Sequence, residues 1–243
     1  FLPETLSRNA TPHTSKDSDD SSPEASPTSK IQWRRVINSP EQRGIAIMTA
    51  VFYLGVVGKV SVVPVLATSS LNADAAQVGF LFSLVSALGV ICTPLGGWMA
   101  DKFGRVPVIT LSALMCGVGF LGLPFARSYP SFMFFMSLWG CGAALKTPAL
   151  TAFTMDVAPA GNKGIALTLP KTIGDSMFLV GPVAMGLIDD RLQNGMQAPS
   201  LVITSLLTFV CTSIFARTVH ERPRTSSATH VELEVDHQLE EKL

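Results

Sequence analysis

GGWMADKFGRVP, running from Gly96 to Pro107, separates two long apolar runs. It gathers glycines, an Asp, a Lys and an Arg into a stretch too short to form an element of its own. Such a stretch reads as a tight, basic hairpin between two membrane helices, and that reading decides the fold. Gly97 is small enough to let neighbouring helices approach closely. Gly104 can take a left-handed backbone conformation, and Asp101 with Arg105 can form a charge pair at a helix end.

The rest of the chain agrees with a membrane setting. Of its 243 residues, 47% are hydrophobic and only 15% charged, where a soluble domain carries about 25% charge. The apolar residues come in blocks, which excludes a soluble binding module, and a net charge of +0 carries no signal of a nucleic-acid partner. Cys92, Cys116, Cys141 and Cys211 all lie within apolar runs and read as small packing residues. His13, His220, His230 and His237 all lie outside them. Neither a metal site nor a cofactor is expected, and the absence of His from the runs argues against a membrane-embedded enzyme.

A membrane helix needs about 20 mostly apolar residues. Six stretches qualify: 44–68, 77–100, 106–126, 130–155, 164–188 and 198–219. Before them, residues 1–43 are rich in Ser, Asp, Thr and Pro and read as a disordered linker. After them, residues 220–243 read as a solvated tail. The short loops make consecutive helices the expected antiparallel neighbours. Linker, 101–105 turn, 156–163 loop and tail together hold thirteen of the 18 Lys and Arg, whereas the opposite loops hold only Arg127 and Arg191. By the positive-inside rule both termini are expected in the cytoplasm, which requires an even number of spans. The second span ends Pro94-x-x-Gly97-x-x-x-Asp101 and the fifth ends Pro182-x-x-x-Gly186-x-x-Asp189, an echo expected of an inverted three-plus-three repeat.

Gly97, Asp101, Gly104 and Arg105 match the Gly-x-x-x-Asp-Arg/Lys-x-Gly-Arg signature of the major facilitator superfamily, and the chain resembles a transporter of that family. Thr147 to Asp190 is similar to the tenth and eleventh helices of its drug and metabolite antiporters, through Asp156, Pro159, Gly164, Thr172, Gly174, Asp175, Gly181 and Pro182. Lys163 and Lys171 depart from the pattern, since Arg is usual at both positions. Leu2-Pro3-Glu4-Thr5 resembles the opening of the family's central cytoplasmic loop. Met136 stands where the amino-terminal half carries an Arg before its Gly-x-Gly. The resemblance therefore implies an all-α membrane protein, six transmembrane helices forming the carboxy-terminal half of such a transporter. It also implies a fragment whose partner is an amino-terminal six-helix half.

Four ionisable side chains fall inside the spans: Lys59, Lys146, Lys171 and Asp175. Each costs roughly 2.5–3.5 kcal/mol at a helix centre, so each should face protein or a water-filled path. Lys146 lies about 15 Å from Asp156, near the midplane, and Lys171 about 10 Å in from Gly164. Lys171 and Asp175 are four apart on one helical face and can pair. Lys146 has no partner in its own helix and is the leading substrate contact. The expected function is secondary transport of small organic solutes by alternating access, with protons as the coupling ion through Asp175. Lys102 joins Gly97, Asp101, Gly104 and Arg105 as the conformational motif. The alternative is a non-transporting scaffold or receptor on the same fold.

Overall fold

In a bilayer an apolar run must satisfy its backbone internally, so runs of this length become helices. The computed structural model describes residues 40–158, 163–192 and 197–218. Among them there is no strand, and six long helices follow one another: α1 (Pro40–Leu71), α2 (Ala75–Phe103), α3 (Arg105–Gly122), α4 (Tyr129–Val157), α5 (Lys163–Leu192) and α6 (Pro199–Thr218). A 3-10 turn, Leu123–Phe125, extends α3. The expected linker up to residue 39 and the expected tail, 220–243, lie outside the described residues, as does Pro159.

Local chemistry sets the helix ends beyond the apolar runs. Pro40 opens α1 four residues before the expected span, at a position where a missing N–H costs nothing. Asn72 ends it at φ 50°, and the Ala73 N–H donates to the Ala67 carbonyl at 3.2 Å. Asp74 then starts α2: its carboxylate accepts from the Gln77 N–H at 2.7 Å, and Gln77 Oε1 accepts from the Asp74 N–H at 3.2 Å. Asp189, near the end of α5, accepts from both the backbone N–H and the hydroxyl of Ser200, at 2.8 and 2.9 Å. It caps α6 from the preceding helix.

Among the consecutive pairs, α3 and α4 alone pack extensively. α1 and α2, joined by three residues, scarcely touch; α1 packs on α5 and α6, while α4 packs on α2 and α3, and α3 on α6. A short loop fixes direction, but the pairing goes to the apolar face that fits. The first helix of each triplet thus lies on the second and third helices of the other. That is the exchange a two-fold related pair of triplets makes, and it puts the Pro94 and Pro182 helices in equivalent places.

The apolar core is split. One cluster gathers Val57, Leu81, Phe120, Trp139 and Leu201, and a second gathers Ile45, Ile109, Ala149, Phe153 and Phe215. On α1, α4 and α6 buried polar groups sit between the two clusters in sequence: Thr49, Lys146, Thr208 and Thr212. Outward-facing positions are apolar, among them Val90, Ile91, Val118, Leu179, Val183 and Ile214. Five of the helices are long and apolar enough to cross a membrane. α4, with 29 residues, is long enough but carries Lys146, Thr147 and Pro148. The chain is an integral, multi-pass, all-α membrane protein.

Candidate functional site

The polar belt opens into a cavity of about 350 Å³ between α1, α4 and α5. Thr49, Phe52 and Tyr53 line it from α1. Lys146, Thr147, Leu150, Thr151 and Thr154 line it from α4, and Leu167, Pro170, Lys171 and Asp175 from α5. A volume of this size suits a small organic molecule.

Lys146 is its most enclosed charge, 2% exposed, with Nζ 4.5 Å from the centre of the Phe52 ring. Such a contact returns about 0.5–2 kcal/mol, less than the roughly 2.5–3.5 kcal/mol that an ammonium costs at this depth. Lys171 and Asp175 are exposed along the cavity wall, and no ion pair joins them among the described residues. Lys59 lies elsewhere, half-buried on the far side of Gly55, with Nζ 5.3 Å from the Trp139 ring centre and 5.6 Å from that of Phe82. Of the four intramembrane ionisable residues, three share the cavity and Lys59 does not.

Hydroxyls complete the wall. Thr147, Thr151 and Thr154 donate to the carbonyls of Ala143, Thr147 and Leu150 at 2.8–2.9 Å. That leaves their oxygens as acceptors facing inward. Thr49 Oγ1 is buried with no partner among the described residues. Sequence reasoning passed over these threonines, although the spacing of 147, 151 and 154 puts three hydroxyls on one helical face.

At the end of the bundle that holds Arg43, Lys102, Arg105 and Arg217, the Gly96–Pro107 turn is sharp. Gly104 separates α2 from α3 at φ 92°, ψ 158°, a conformation that belongs to glycine. Arg105 reaches α4, where it forms an ion pair with Asp156 and donates to the Ala152 carbonyl. Asp101 and Lys102 are exposed at the end of α2, with Lys102 Nζ 4.8 Å from the Trp98 ring centre. One expectation is corrected here. Gly97 faces open space, and the close approach belongs to Gly96, where a Cβ would lie 2.5 Å from the Leu145 carbonyl oxygen. Gly142 and Gly174 do pack helices. A Cβ at Gly142 would meet the Ser112 carbonyl at 2.7 Å, and one at Gly174 the Tyr53 ring at 2.6 Å.

Residues 45–238 match the sequence profile of the Major Facilitator Superfamily. The chain belongs to the Major Facilitator Superfamily. Its relatives in that superfamily include Multidrug resistance protein 2 of Bacillus subtilis (strain 168), 24% identical over 203 residues, which are 81% of this chain and 50% of that protein. Tetracycline resistance protein, class H of Pasteurella multocida is 28% identical over 61% of this chain and 38% of its own length. Multidrug resistance protein MdtG of Salmonella paratyphi A (strain ATCC 9150 / SARB42) is 31% identical over 55% of this chain and 32% of its own. The chain thus spans half or less of the length of each. Among solved superfamily structures, the E. coli fucose:proton symporter FucP superposes with a TM-score of 0.66 at 15% identity, covering 79% of this chain and 46% of that one. The E. coli xylose transporter XylE in its inward-open conformation gives 0.58 at 16% identity, covering 81% and 55%.

Proposed function

We propose that this chain forms one six-helix body of a secondary transporter that moves small organic solutes across a membrane by alternating access. The observation that carries the reading is the 350 Å³ cavity, with the buried Lys146 at its inner end and Lys171, Asp175 and threonine hydroxyls along its wall. Charges are expensive in a bilayer interior, and their natural use is to face a solute path. The superfamily profile and the multidrug and tetracycline resistance relatives support transport of organic solutes, and efflux in particular.

All six helices cross in this reading. α4 tolerates its polar residues because α2 and α3 cover it. Both termini are cytoplasmic, and the end holding the Gly96–Pro107 turn faces that side. An amino-terminal six-helix body supplies the opposite wall of the cavity. The two bodies rock about the site and expose it to each side in turn. Arg105, tied to Asp156, fixes the cytoplasmic ends of α3 and α4, and Asp101, Lys102 and Gly104 complete that conformational motif.

The test is solute flux in membrane vesicles carrying the full-length protein. Lys146→Gln is expected to lower saturable flux at least tenfold; an unchanged uptake and efflux profile would instead favour a scaffold or receptor built on the same fold. Asp175, the one carboxylate lining the cavity among the described residues, is assigned the coupling proton. Asp175→Asn is therefore expected to flatten the pH profile of flux, and an unaltered profile removes it from that role.

A further inference from the structure

α1 and α4 carry the same spaced pattern, Phe52-x-x-Gly55-x-x-x-Lys59 in one and Trp139-x-x-Gly142-x-x-x-Lys146 in the other. The helices run antiparallel, and the pattern closes on itself in space. Lys59 of α1 lies over the Trp139 ring of α4 at 5.3 Å, and Lys146 of α4 lies over the Phe52 ring of α1 at 4.5 Å. Each lysine therefore rests on the aromatic that begins the other helix's pattern. These are the first helices of the two triplets, so the two-fold exchange that relates the triplets also relates the lysines.

We propose that Lys59 and Lys146 are two equivalent anion stations, and that the solute carried is an organic anion with an aromatic or similarly flat apolar part. The inference rests on the transporter reading above and names its substrate class. Three features lead to it. Both lysines lie within membrane helices, and among the described residues neither has a carboxylate within 4 Å. The aromatic ring beneath each offers a flat apolar surface, so a station provides both a charge and a stacking face. The stations also point to opposite ends of the bundle. Seven residues, or about 10 Å along α1, separate Phe52 from Lys59. Lys146 is the first α4 residue of a cavity whose α4 lining runs on to Thr154, and Lys59 lies outside that lining, beside the Trp139 ring that stacks on Phe120. A carrier that opens alternately to two sides needs a comparable foothold for its solute from each. An inverted repeat of one aromatic–lysine pattern provides it.

The experiment uses membrane vesicles of both orientations containing the full-length protein. Fluorescein serves as the aromatic anion and ethidium as an aromatic cation of similar size. Fluorescein is expected to move with saturable kinetics. Lys146→Gln should raise its half-saturation concentration at least tenfold at the face holding Arg105, and Lys59→Gln should do so at the opposite face. Lys146→Arg and Lys59→Arg should each stay within threefold of the parent, which separates loss of charge from loss of folding. Ethidium flux without fluorescein flux would overturn the anion assignment and leave the transporter reading standing. Fluorescein flux that both Gln variants leave unchanged would overturn the two stations. Flux of neither dye, with the protein folded and inserted, would overturn the transporter reading and this inference together.

Discussion

A Cβ placed on Gly96 would lie 2.5 Å from the Leu145 carbonyl oxygen and 2.7 Å from its Cα. Both are backbone atoms of α4, so no side-chain rotation relieves the clash and the α2–α4 crossing itself must open. Gly96→Ala is expected to destabilise the bundle by about 1–3 kcal/mol, seen as a thermal midpoint several degrees lower in detergent. Gly97→Ala in the same six-helix chain points into open space and is expected to change stability by less than about 0.5 kcal/mol. Equal midpoints for the two variants would mean that the crossing is not as close as drawn. The pair was visible in the sequence as a place where helices could approach, but the choice between its members was not. Successive residues on a helix point about 100° apart, and only the rotation of α2 against α4 selects one. Lys146 repeats the lesson. Its depth followed from counting back from Asp156, whereas its seat on Phe52 depends on a helix almost a hundred residues away.

Among the elements, α3 and α4 are joined most tightly at the turn. Gly104 lets α3 start abruptly, so that its first residue, Arg105, points along the end of α4 to Asp156 and the Ala152 carbonyl. The Asp156 side chain is 56% exposed, which limits the pair to about 1 kcal/mol or less. That is too little to hold the fold and enough to bias two conformations about fivefold, since 1.4 kcal/mol is tenfold. Asp156→Asn is therefore expected to slow turnover about fivefold while leaving the half-saturation concentration unchanged. Steady-state flux against solute concentration separates the two parameters. Turnover and half-saturation both at the parent value would remove the turn from the conformational cycle. The order and direction of the helices followed from apolar runs and short loops. Their partners followed for α3 and α4 but not for α1, which reaches past its sequence neighbour to α5 and α6 for the faces formed by Gly58, Gly174 and Gly181.

At the scale of the molecule, coverage is uneven. α2 and α5 are the least buried helices, with 11% and 17% of their apolar windows enclosed, against 56% for α3 and 44% for α6. Both expose large apolar side chains, such as Phe80, Val90 and Leu95 on α2 and Leu179, Val183 and Leu187 on α5. Among the described residues the cavity has a wall from α1, α4 and α5. With one wall, nothing can close over a solute, and a site that cannot close cannot be exposed to one side at a time. The six-helix chain reconstituted alone is therefore expected to insert, keep its helices and give no saturable flux of fluorescein or ethidium above protein-free vesicles. Vesicles holding the full-length protein should give such flux under the same gradient. Circular dichroism and protease protection establish insertion, so a missing flux is not mistaken for a missing protein. Saturable flux from the six-helix chain alone, abolished by Lys146→Gln, would mean that this body closes its own cavity, by pairing with a second copy or by moving α5 against α1. The uncovered faces of α2 and α5 would then be lipid-facing, and the apolar residues along them would need no second body to explain them.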